Sequence, residues 1–226
     1  MHVPDGFLVD HISLATGVVA AAGVVIAARH AARELTVERS PAVVAVTGAA
    51  IFAGQLMNFP VGAGTSGHLI GAALAVTLLG PATACLVLSA VLLVQALVFA
   101  DGGVTALGTN ITLMGIVAVL AAWGAFAGLK RVLPDTRRHV ALASAVAGLV
   151  SVPAAALAFV GLFAVGAHAH VDVGAVFREM FGWHLLIGVG EAVITGGAVA
   201  AVLAARPELV RGYVPRRGGA GSAVAA

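Results

Sequence analysis

Apolar residues run along the chain in long unbroken blocks, bounded by charges or by Gly and Pro turns. They fall at about 11–29, 41–58, 68–79, 82–99, 107–129, 139–166 and 184–205. A membrane-crossing helix needs about 20 such residues, so the blocks predict seven transmembrane helices. A membrane barrel would instead alternate polar and apolar residues along each strand. The third and fourth blocks form one apolar stretch from His68 to Phe99, too long for a single span, and Gly80-Pro81 supplies the break. The third helix, opening at His68, is then too short to cross unaided and needs shelter from its neighbours.

Composition sharpens this picture. Hydrophobic residues make up 61% of the chain and charged residues 10%, with a mean hydropathy of +1.07. Soluble proteins carry about a quarter charged residues. The expectation is an all-α membrane protein, a bundle of seven helices that pack through Ala and Gly, with residues 1–205 as one transmembrane domain. Residues 206–226, basic and rich in Gly and Ala, are expected to form a disordered cytoplasmic tail.

Charge placement gives orientation. Arg29, Arg33 and Arg39 lie in the first loop, Lys130, Arg131, Arg137 and Arg138 in the fifth, and Arg206, Arg211, Arg216 and Arg217 in the tail. These segments share one face of a seven-span protein, leaving Arg178 for the other. The positive-inside rule then puts the N-terminus outside and the C-terminus in the cytoplasm. The same placement explains the pI near 9.3 without any nucleic-acid partner. Cys85 is a lone cysteine in an apolar run, so it reads as a small core residue. Residues 1–11 lack Lys and Arg and contain Asp5 and Asp10, unlike a secretory leader, so this end is expected to persist with Met1 retained ahead of bulky His2.

Three segments rich in Gly and polar residues meet on the outer face: MHVPDG at the start, MNFPVGAGTSGHLIG before the third helix and FADGGVTALGTN before the fifth. Irregular backbone at membrane depth is tolerable only when buried in protein or lining a cavity. His2, His11, His68, His168, His170 and His184 belong to the outer half, and His30 and His139 to the inner, which points to an outward-facing metal or proton site. The Met1 amine, the His2 amide and the His2 imidazole are close enough to chelate one ion in small rings, which forces them nearly into a plane. His68 is the choice for the fourth ligand. Such a square of nitrogens suits Ni(II), Cu(II) or low-spin Co(II) over tetrahedral Zn(II) or oxygen-seeking Mg(II). Binding should weaken in acid, since an amine with an ordinary pKa of about 8 competes with protons near neutrality. The alternative is that His2 simply lies near a disordered end.

Groups placed to steady these ligands are Asp5, Asn58, Thr65, Ser66, Asp101 and Asn110, each of which also has an ordinary turn or helix-end reading. His184 and Glu191 stand seven residues apart on one helix face, either as functional ionisable groups or as a packing bridge. No phosphate-binding GxxxxGK[ST] occurs, no HExxH occurs, and GTSGH lacks nucleophile-elbow spacing. An enzyme is left without support from these motifs, and the expectation is a binding and translocating membrane domain, powered by a partner or by an ion gradient.

MHVPDGFL, NFPVGAGTSGHLIG, ALVFADGGVTALGTNI and HLLIGVGEAVITG resemble the CbiM/NikM family, the cobalt or nickel substrate-specificity subunits of energy-coupling-factor ABC transporters. The resemblance implies an outward N-terminus inserted into the core, with the ion held by Met1, His2 and His68. It implies a multi-pass protein of a prokaryotic cell membrane. Two ATPase subunits, a transmembrane coupling subunit and, in cobalt systems, a small two-span accessory subunit are the implied partners. The loaded subunit is expected to topple in the membrane when the coupling subunit moves. Co2+ or Ni2+ is cargo, and no resident cofactor is expected. A row of small residues on the first helix, Ala15, Gly23, Ala27 and Ala31, offers a docking face. The competing readings are a stand-alone, gradient-driven permease or channel and a membrane enzyme, which only His184 and Glu191 would serve.

Overall fold

The computed structural model describes residues 1–33, 41–62, 65–168 and 171–213. Arg39, His170, Arg216 and Arg217 lie outside the described residues. In chain order the described elements are α1 (Asp10–Ala31), α2 (Pro41–Gln55), β1 (Phe59–Gly62), β2 (Thr65–Gly67), α3 (Ala72–Leu79) and α4 (Pro81–Val98). They are followed by α5 (Leu107–Val132), α6 (Arg137–Gly166) and α7 (Val173–Ala205). Five of these helices, α1, α4, α5, α6 and α7, are long and apolar enough to cross a membrane. The chain is therefore a multi-pass membrane protein.

The two remaining helices have different reasons for being short. α2 has 15 residues, about 22 Å of helix. α3 has 8 and is sheathed by α4, α5 and α6, so that Ala72, Ala73, Ala75, Val76, Thr77, Leu78 and Leu79 are all buried. The predicted shelter is thus supplied by three of the candidate spans. Gly80, at φ 93°, makes the predicted break, and Pro81 opens α4, where its missing N–H is no loss. Thr136 and Asp172 cap α6 and α7 by accepting from His139 N and Ala175 N. α6 and α7 form the most extensive helix pair. Their glycines allow it: a Cβ at Gly188 would sit 3.0 Å from the Leu149 carbonyl, and one at Gly148 would sit 3.2 Å from the backbone of Glu191.

Several expectations need correction. His68 does not open α3: Gly71, at φ 78°, delays the helix to Ala72, and His68 sits in extended chain after β2. The segment before it is not wholly irregular, because β1 and β2 form an antiparallel hairpin pairing Phe59 with Gly67 and Pro60 with Ser66. α7 starts at Val173, not 184, and its 33 residues extend about 50 Å, well past a hydrocarbon core of about 30 Å. The small-residue row on α1 is not a free face: Ala27 and Ala31 are buried, and a Cβ on Gly23 would collide with Ile116 of α5. The chain also stays on the bundle past 205. Arg211 N donates to the Thr77 carbonyl at 2.8 Å, its guanidinium lies 5.4 Å from the Trp123 ring, and Val210 is buried. Residues 214–226 lie outside the described residues.

Candidate metal site

Residues 1–9 run as extended chain across one end of the bundle, turning at Asp5-Gly6, where Gly6 has φ 71°. Each part of this segment is tied to a different element. The Asn110 side chain, just before a π-helical stretch of α5 (Ile111–Val117), takes the place of a neighbouring strand: its Oδ1 accepts from Val3 N at 2.8 Å and its Nδ2 donates to Val3 O at 3.1 Å. Gly103 N donates to the same carbonyl at 2.9 Å. The Asp5 carboxylate accepts from Thr105 N at 2.7 Å and from its hydroxyl at 2.5 Å, and these bonds hold it below its ordinary pKa. Val9 N and His168 N close a short ladder with Gly166 O and Phe7 O at 2.9 and 3.1 Å, while Phe7 packs on Phe159 and Phe163.

This lattice carries Met1 into the interior, where the residue is 1% exposed and its amine donates to Ser66 Oγ at 3.2 Å. Burial disfavours the charged ammonium and pushes the amine from 8.0 down to about 4, with the Asp101 charge opposing in part. The amine is therefore neutral across the physiological range, with its lone pair available.

His2 is buried beneath the same segment. Its Nε2 meets Gln95 Oε1 at 3.2 Å, its Nδ1 lies 3.1 Å from Asp101 Oδ1, and its ring stacks on His68 with centroids 4.4 Å apart and 21° between planes. His68 is fully buried. Its Nδ1 donates to the Leu69 carbonyl at 2.7 Å, which leaves Nε2 as the unprotonated nitrogen, and that atom has no hydrogen-bond partner. Burial above all holds this imidazole neutral, well below the ordinary histidine value. The backbone beyond His68 is fixed from two helices. Glu191 of α7 accepts from Ile70 N at 2.7 Å and Gly71 N at 3.1 Å, and Gln55 of α2 donates to Ile70 O at 2.8 Å. A buried carboxylate satisfied by two N–H groups in this way is a strong clamp.

The predicted supporting residues separate accordingly. Ser66, Asp101 and Asn110 touch the Met1–Val3 segment directly, Asn58 donates to Asp101 at 3.2 Å, Asp5 fixes the turn, and Glu191 holds the His68 loop. Thr65 uses its hydroxyl on Gly62 O to close the hairpin. His184 is buried with Nδ1 donating to Met180 O at 2.7 Å and Nε2 without a partner. His11 and His168 are exposed. Sequence reasoning missed Gln55, Gln95 and Thr105. The two glutamines had a signal, being the chain's only ones and both inside apolar spans. Among the described residues no three His, Cys, Asp or Glu side chains converge on a metal-sized point.

The assembly as a whole is that of a transition-metal transport protein. A crystal structure of a truncated transition metal transporter superposes with a TM-score of 0.81 at 32% identity, covering 90% of this chain and 99% of that one. The CbiM family pattern, described as the cobalt uptake substrate-specific transmembrane region, matches residues 2–209. The chain belongs to the CbiM family. A Haloquadratum walsbyi protein whose name assigns it to metal transport is 38% identical over 211 residues, covering 93% of both chains. A fused nickel transport protein of Rhodobacter capsulatus is 33% identical over 230 residues, covering 96% of this chain and 65% of that one. The chain thus belongs to a family of substrate-specific transmembrane regions for cobalt uptake, and the relatives it matches are named as metal transport proteins.

Proposed function

We propose that the chain holds Co2+ or Ni2+ in a plane of four nitrogens: the Met1 amine, the amide and Nδ1 of His2, and Nε2 of His68. The observation that carries this reading is the buried meeting of a neutral amine with two stacked imidazoles, one of which presents an unpartnered nitrogen. Five- and six-membered rings through the His2 amide impose planarity, which favours Ni(II) and Co(II) over tetrahedral Zn(II). The amide loses its proton on binding, and the ion supplies the driving force. Ser66, Asp101, Asn110 and Glu191 hold the ligands still.

In this reading the N-terminus faces outward and seven helices count as spans, α2 and α3 being short ones supported by their neighbours. The clustering of basic residues supports the orientation: Lys130 and Arg211 lie together at the end of the bundle opposite the Met1 segment. With no phosphate-binding loop of its own, the chain is the binding subunit of an energy-coupling-factor transporter, served by two ATPase subunits and a coupling subunit.

The test is calorimetric titration of the purified chain with NiCl2 and CoCl2. His2→Ala, His68→Ala and a chain with one alanine added before Met1 should each lose at least about a hundredfold in affinity. Unchanged binding by all three rejects the site. Uptake by vesicles carrying this chain alone, without ATP, would reassign it to the gradient-driven permeases.

A further inference from the structure

An open cavity of about 420 Å³ lies over His2, with Phe59 and Pro60 on its wall beside the polar groups of Asn58, Thr65, Ser66 and Asp101. Asp101 is the acidic residue in that lining, and its side chain is 22% exposed where that of His2 is 3%. The carboxylate therefore spans the boundary between water and the buried ring. Its Oδ1 lies 3.1 Å from His2 Nδ1 and accepts from Asn58 Nδ2 at 3.2 Å. Asp5 is committed to Thr105, and Glu191 to the backbone beyond His68.

Two chemical facts give this placement meaning. A ring that closes through the His2 amide reaches Nδ1 and not Nε2, so the nitrogen facing Asp101 is the one an ion must take. A dication bound by one deprotonated amide and three neutral nitrogens carries a net single positive charge, and an isolated buried charge is costly. A carboxylate beside Nδ1 brings the site to neutrality. A monovalent ion in the same place would leave an excess negative charge, so the arrangement selects for charge as well as geometry.

Resting on the four-nitrogen reading, we infer that Asp101 is the capture carboxylate: the hydrated dication lodges on it in the outer cavity, passes to the nitrogens, and leaves Asp101 beside the loaded site as counter-charge. Removing its charge slows arrival, and the slowing depends on ionic strength.

Stopped-flow absorbance of Ni2+ binding to the purified full chain, at rising NaCl, reads this directly. D101N is expected to associate about tenfold more slowly than wild type and to lose most of the salt dependence, while D101E restores both. Wild-type rates and salt dependence in D101N overturn the inference, as does a D101E variant as slow as D101N, which would make shape and not charge the cause. A wild-type chain that binds no nickel, or binds it equally well with a residue added before Met1, overturns the four-nitrogen reading instead.

Discussion

At the scale of single residues, the site depends on groups kept in the protonation state that water would not give them. The Met1 amine is the clearest case. In the docked state it is neutral above about 4, whereas a released amine is protonated below 8.0. Between these values the undocked state binds one more proton, so acid favours undocking and docking strengthens as pH rises through that window. The expected competition between ion and proton thus acts on insertion of the N-terminus, before any metal arrives. The protection factor of the Val3 amide, which donates to Asn110 at 2.8 Å, should fall as the metal-free protein is taken from pH 8 to pH 5; a protection factor that stays constant would contradict this. The Glu191 clamp on the His68 loop makes a separate test. Glu191→Gln keeps the shape but faces one of two N–H donors with an NH2, and hydrogen bonds to charged groups are worth about 1.5–3 kcal/mol. The variant should bind nickel about tenfold more weakly or worse, and it should melt earlier in detergent.

At the scale of elements, the N-terminal segment behaves as an extra strand laid over the bundle end, held by loops that approach it closely. Gly103 shows how closely: a Cβ there would collide with the Asp5 backbone. Gly103→Ala should therefore lift the segment and weaken nickel binding at least tenfold while leaving helix content, read by circular dichroism, unchanged. The helices themselves were legible in the sequence because apolar length alone defines them, and the Gly80-Pro81 break followed from the stereochemistry of those two residues. The hairpin was not legible, since FPVGAGTSG carries too few β-formers to outweigh its glycines. Nor was the delayed start of α3, because the clamp on Ile70 and Gly71 comes from Glu191, 121 and 120 residues away. Ligand chemistry singled out Met1, His2 and His68, which the structure buries together, whereas Gln55, Gln95 and Thr105 act through contacts that spacing does not reveal.

At the scale of the whole molecule, the polar chemistry sits at one end of the bundle and the basic charge at the other, which is the asymmetry an importer needs. In intact cells a cysteine at exposed His168 should react with an impermeant maleimide, and one at exposed Arg138 should react only after the membrane is opened; the reverse pattern would invert the protein. All of this serves the claim that the chain's own amino end, folded inward against His68, holds the ion. The nickel X-ray absorption spectrum of the loaded, purified protein tests that claim most directly. The account predicts four nitrogen donors in a plane, with the spectrum changing when a residue is added before Met1. An octahedral set of oxygen donors, indifferent to that addition, would contradict it.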